Sequence, residues 1–204
     1  QQALKEIREG SKNMDHPFFE EGQRLTHSMA TQGNTQILVA LYQAGADLNV
    51  VDDDNNTPLH AAAMAGQEAC ITTLKQMGAE LNPKNKQGRT PTYCAAEKGH
   101  TQTLTTLIEA GADLNSADEV GNTPTHAAAK AGQAQCITTL LEAGAMVGLP
   151  NNKGEPPARL AIGERCEDAR EVLIQAILTD ELGHGLHASE VQQALQEIRE
   201  GSKN

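Results

Sequence analysis

Three histidines, His27, His60 and His126, fall in one register of the chain, 33 or 66 residues apart. Imidazoles at a regular spacing could bind a metal or move protons. Stacked helices lie ~8–10 Å apart, whereas zinc–nitrogen bonds are ~2 Å, so these rings cannot share an ion. Each is expected to bond the backbone of its own or the next turn. His184 and His187 have an i, i+3 spacing, but no Cys or third His follows nearby, and Gly183 and Gly185 suggest a loop. Cys94 and His100 are separated by Gly99 and have no spacing that forces them together, so Cys94 reads as a small core residue. No nucleophile elbow, phosphate-binding glycine loop or HExxH helix occurs. No catalytic residue, metal ligand or cofactor is therefore expected, and the chain reads as non-enzymatic.

The elements that must position these residues repeat. Gly-Ala pairs begin at Gly45, Gly78, Gly111 and Gly144, always 33 residues apart. Thr57-Pro58, Thr90-Pro91 and Thr123-Pro124 keep the same period, as do Gly33, Gly66, Gly99 and Gly132. Leu41, Leu74, Leu107, Leu140 and Leu173 form a leucine column. A fixed period in this range marks stacked units, none of which can bury its apolar face alone. Within Asp52 to Lys84, Asn55 stands where Gly22, Gly88, Gly121 and Gly154 stand elsewhere, which predicts a turn with positive φ in each unit. Thr57 then caps a helix with Pro58 in its first turn. That helix runs through Ala61-Ala62-Ala63 to Gly66, and a second, carrying Ile71, Leu74 and Met77, stops at Gly78. Both are shorter than the ~12–15 residues an isolated helix needs in water. The Thr pairs 72–73, 105–106 and 138–139 sit mid-helix, where their hydroxyls can bond preceding carbonyls.

Aromatic residues make up 2% of the chain and Trp is absent, so large rings do not anchor its core. The formal charge of −11 argues against nucleic acid and against anionic membrane surfaces. No stretch approaches the ~20 apolar residues of a membrane span, and no signal-peptide pattern opens the chain. Four cysteines, at 70, 94, 136 and 166, lack any CxxC pairing. Cys70 and Cys136 lie two units apart, beyond the ~7 Å disulfide limit. Free thiols suit a reducing, cytoplasmic setting.

The Thr57-Pro58-Leu59-His60-Ala61-Ala62 string, in this turn–helix–helix unit, resembles the ankyrin repeat. Thr123-Pro124-Thr125-His126-Ala127-Ala128 is close to it, and Thr90-Pro91-Thr92-Tyr93-Cys94-Ala95 departs by placing Tyr93 at the histidine. Gly-Ala-Asp-Leu-Asn at Gly45 and at Gly111 also matches. The resemblance covers about residues 20–178 as roughly five repeats, the first and last degenerate. It implies an all-α ankyrin-repeat solenoid of helix–turn–helix units with β-hairpin-like loops. In the first repeat Arg24-Leu25 replaces Thr-Pro. In the last, Glu155-Pro156-Pro157 replaces the helix start, Arg165 replaces the helix-ending glycine, and a final helix spans about Glu167 to Leu178.

The resemblance further implies a protein-interaction module whose partner, itself a protein, meets the hairpin tips and exposed inner-helix positions of the concave face. Those positions are Val51, Asp53, Asp54, Asn56 and Met64, then Lys84, Lys86, Gln87, Arg89, Glu97 and Lys98, then Glu119, Val120, Asn122 and Lys130, and finally Asn152 and Lys153. Asn49, Asn82 and Asn115 each close a Leu-x5-(Asp/Glu)-Leu-Asn string similar to the target of asparaginyl hydroxylases that act on ankyrin repeats. They are candidate modification sites; otherwise the amide bonds the hairpin backbone. Such arrays are also similar to those of effectors that bacteria deliver into host cells, which act in the host cytosol.

Two longer periods overlay this one. Repeats two and four share Cys70-Ile71-Thr72-Thr73-Leu74 and Cys136-Ile137-Thr138-Thr139-Leu140, as though a two-repeat block had been doubled. Residues Gln1–Asn13 and Gln192–Asn204 are identical except at Lys5 and Gln196. Residues 1–19 are expected to form an N-terminal amphipathic helix and lead-in. Residues 179–204 are expected to form a loop and a C-terminal amphipathic helix, capped by Ser189 and Gln192. The duplicated ends favour an alternative role as a spacer or head-to-tail unit of a longer, tandemly duplicated protein, self-associating through these helices. A third reading is the targeting part of an enzyme outside this segment.

Overall fold

The computed structural model describes residues 17–184. Among the described residues there are ten α-helices, one 3-10 turn and no strand. The helices are α1 (Pro17–Gln32), α2 (Thr35–Gln43), α3 (Pro58–Ala65), α4 (Glu68–Gln76), α5 (Pro91–Lys98), α6 (Thr101–Glu109), α7 (Pro124–Ala131), α8 (Ala134–Glu142), α9 (Pro157–Leu160) and α10 (Glu167–His184). Residues up to Ala95 together with Gln102–Asp113 form one compact unit, and Ala96–Thr101 with Leu114 onward form the other.

In the first unit α1 packs on α3 and α2 on α4, and each helix also packs on its sequence neighbour. In the second, α7 packs on α9 and α8 on α10 in the same way. The leucine column lies at the centre of these contacts: Leu41, Leu74, Leu107, Leu140 and Leu173 are each at most 1% exposed. Ala62, Ala63, Ala128 and Ala129 are fully buried, because small side chains let the next helix approach closely.

The Gly-Ala column has a backbone cause. A left-handed residue after a helix turns the following N–H back to a carbonyl five residues earlier. Gly45, Gly78, Gly111 and Gly144 have φ of 92°, 90°, 90° and 88°. The N–H groups of Ala46, Ala79, Ala112 and Ala145 accordingly donate to the carbonyls of Leu41, Leu74, Leu107 and Leu140 at 2.9–3.0 Å. The residues that close each unit are thus bonded to the residues that fill it.

Three features differ from the sequence expectation, each where a stop signal is missing or added. Gly22 lies inside α1, with no turn there, because Arg24-Leu25 supplies no Thr-Pro start and the helix that opens at Pro17 runs on. In the last unit α9 ends after one turn, and Ala161 leaves the helix with ψ 69°. Arg170 holds the break: its Nε donates to the Ala161 carbonyl at 3.0 Å and its Nη2 to that of Gly163 at 3.3 Å. Finally, α10 continues past Leu178 to His184, through Gly183, since one interior glycine costs only about 1 kcal/mol of helix stability. The helices expected within residues 1–19 and 179–204 otherwise lie outside the described residues, as does His187.

Candidate hairpin-tip interface

Each tip is a tight loop held by one acidic or amide side chain. In the first unit Asp52 Oδ1 accepts from the N–H groups of Asp54 (2.9 Å) and Asn56 (2.8 Å), and its Oδ2 accepts from Asn56 Nδ2 (3.0 Å). Burial raises the Asp52 pKa, but these hydrogen bonds and the nearby His27 outweigh it and leave the carboxyl below its usual value. Asn85 Oδ1 accepts from Gln87 and Arg89 N–H in the next tip. In the second unit Asp118 and Asn151 repeat the pattern. The column Asp52, Asn85, Asp118, Asn151 keeps the 33-residue period and was legible by that spacing, yet its anchoring role was missed.

Neighbouring tips are bonded to one another. Lys86 N–H donates to the Asp54 carbonyl at 2.9 Å in the first unit, and Asn152 N–H to the Val120 carbonyl at 3.1 Å in the second. Asn85 Nδ2 donates to Asn56 Oδ1 at 2.9 Å, and Asn151 Nδ2 to Asn122 Oδ1 at 3.0 Å. Asn56 is therefore buried with both ends of its amide occupied, and the expectation that it meets a partner is corrected on that ground. Val51, Asp53, Asp54, Lys84, Lys86 and Gln87 are exposed, while Met64 and Arg89 are half-buried. The Arg89 guanidinium lies 5.0 Å from the centre of the Tyr93 ring. In the second unit Lys98, Glu119, Val120, Lys130, Asn152 and Lys153 are exposed, and Glu97 and Asn122 are half-buried.

The histidine column ties each inner helix to the following loop. His27 Nε2 meets the Asn56 carbonyl at 2.7 Å, His60 Nε2 the Arg89 carbonyl at 2.9 Å, and His126 Nε2 the Glu155 carbonyl at 3.0 Å. His60 Nδ1 accepts from Thr57 N–H, and His126 Nδ1 from Thr123 N–H, both at 3.1 Å. An accepting Nδ1 bears no proton, so both rings are neutral with the hydrogen on Nε2. Burial is the main cause lowering both pKa values, against the raising effect of the carbonyl bonds. The three histidines are thus structural, as expected.

The asparagine strings serve as joints. Asn49, Asn82 and Asn115 Oδ1 accept from the N–H groups of Glu80, Asp113 and Met146 at 2.8–2.9 Å. The threonine hydroxyls bond carbonyls four residues back, as from Thr73 to Ala69 at 2.8 Å and Thr139 to Gln135 at 3.0 Å. All four cysteines are free and buried. Among the described residues, no group of three or more His, Cys, Asp or Glu is placed to hold a metal ion. No helix among them is long and apolar enough to cross a membrane.

A family model of ankyrin repeats in three copies matches residues 26–118, and a single ankyrin-repeat model matches residues 120–152. No curated protein matches the chain. Ankyrin repeats are generally protein–protein interaction modules and typically non-enzymatic. With more than half of its residues matched and its helix caps, glycine closures and histidine clamps recurring unit by unit, the chain belongs to the ankyrin repeat family.

Proposed function

We propose that this chain is a non-enzymatic module that binds a protein partner through its hairpin tips and the exposed ends of its inner helices. The observation that supports this most is the Lys86 N–H to Asp54 carbonyl bond. It holds an acidic tip, Asp53 and Asp54, in fixed register beside a basic one, Lys84 and Lys86. Charges presented at a set spacing steer a partner and fix its orientation more than they raise affinity. Val51 and Val120, 51% and 55% exposed, add apolar area to tips that are otherwise polar. In the second unit Glu119, Val120, Lys130, Asn152 and Lys153 provide the corresponding contacts. The free, buried thiols favour a reducing, cytoplasmic site of action.

The test is capture of a partner from cytosol by the full chain, followed by charge reversal. Lys84→Glu with Lys86→Glu alters only exposed side chains, whereas Arg89 is engaged with the Tyr93 ring and is better left alone. Affinity for the captured partner at low salt is expected to fall about tenfold or more. Unchanged affinity would remove this face from the interface.

A further inference from the structure

We propose that His60 and His126 form an acid-sensitive latch, which releases the start of their own helices and loosens the hairpin tip that follows when the rings take up a second proton. The geometry of each site makes the neutral ring essential. Nδ1 faces the backbone N–H of Thr57 or Thr123 and must accept from it. Nε2 faces the carbonyl of Arg89 or Glu155 and must donate to it. One imidazole therefore bridges two backbone groups 29 residues or more apart, and only one tautomer fits both.

A proton added at Nδ1 turns that atom into a donor aimed at another donor. The threonine Oγ1, 3.0 Å from Nδ1 of His60 and 2.9 Å from that of His126, can take the new hydrogen. The threonine N–H is then left without an acceptor inside a buried helix start, which is costly. The charged groups around each ring are few. Asp52 on the preceding loop favours the charged His60, and His27 on α1 opposes it. Asp118 and Glu155 both favour the charged His126. In each case burial outweighs the acids.

The sign follows from that balance. A histidine held below its ordinary value of 6.5 takes up more protons unfolded than folded. Its stabilising contribution is complete above pH 6.5 and declines as the pH falls from there toward the folded-state value. Repeat three supplies an internal control, because Tyr93 occupies the same column and cannot protonate in this range. Its helix start, where Tyr93 N–H donates to Thr90 Oγ1 at 3.3 Å, has no such latch.

Amide hydrogen exchange on the full chain tests this directly, with rates corrected for the intrinsic pH dependence of exchange. Between pH 7.5 and about 4.5, above the range of ordinary carboxylates, protection at Thr57 and Thr123 is expected to fall. The fall should approach tenfold per pH unit at its steepest, with Tyr93 N–H changing far less. In His60→Tyr, which copies the residue of repeat three, the acid response at Thr57 should vanish while that at Thr123 persists. His126→Tyr should do the converse. If one variant does not fold, the other and the Tyr93 comparison in the parent chain still decide. Equal loss at all three positions, or none at Thr57 and Thr123, would overturn the latch. Any weakening of partner binding in acid rests on the tip interface proposed above. The exchange measurement needs no partner, so the two can fail separately.

Discussion

Thr92 and Thr125 are fully buried, and their hydroxyls have no hydrogen-bond partner. They sit in the column where repeat two has the apolar Leu59, also buried. A buried hydroxyl without a partner costs about 1–3 kcal/mol, and valine keeps the branched shape without the polar atom. Thr125→Val is expected to stabilise the chain by about 1 kcal/mol, seen as a higher midpoint in urea with an unchanged slope. A lower midpoint would mean that the hydroxyl is satisfied after all. At this scale the sequence was a mixed guide. The shared register of His27, His60 and His126 correctly identified backbone clamps, because a ring at one column must meet the same backbone atom in every repeat. Asn56 misled because its place next to an acidic tip resembles that of an exposed residue. Only the folded loop shows its amide turned inward, between Asp52 and Asn85.

Helix pairs are locked together by side chains lying over glycines. In the second unit a Cβ on Gly99 would come within 2.4 Å of Gln133 Oε1, and the φ of +77° is itself unfavourable for any other residue. Gly99→Ala is expected to destabilise by about 1–3 kcal/mol, as residues forced into sparsely populated backbone regions do. Adding Gln133→Ala should recover part of that loss by removing the clash while leaving the backbone strain. Full recovery would show that contact, not conformation, sets the requirement. Most elements were legible, since Thr-Pro starts and glycine ends are local signals. The first and last units were not. In α1 no proline or cap interrupts the helix near Gly22, and in α9 the early end depends on Arg170 reaching back from another helix.

For the molecule as a whole, each repeat is held by bonds to the next. The Oδ1 atoms of Asn49, Asn82 and Asn115 are occupied by N–H groups of the following loop. The native chain incubated with an asparaginyl hydroxylase is therefore expected to gain no oxygen, as read by mass spectrometry. Gain at any of the three would show that the joint opens readily enough to admit an enzyme. The sequence by itself determined the repeat architecture, the helix boundaries in the central repeats and the leucine core. These follow from short-range rules of capping, chain reversal and apolar periodicity, restated every 33 residues. Tertiary structure alone decided which polar side chains join neighbouring loops and which remain free for a partner. It also decided the protonation of His60 and His126. Those outcomes depend on atoms about 30 residues away in the chain, and no local rule reaches that far.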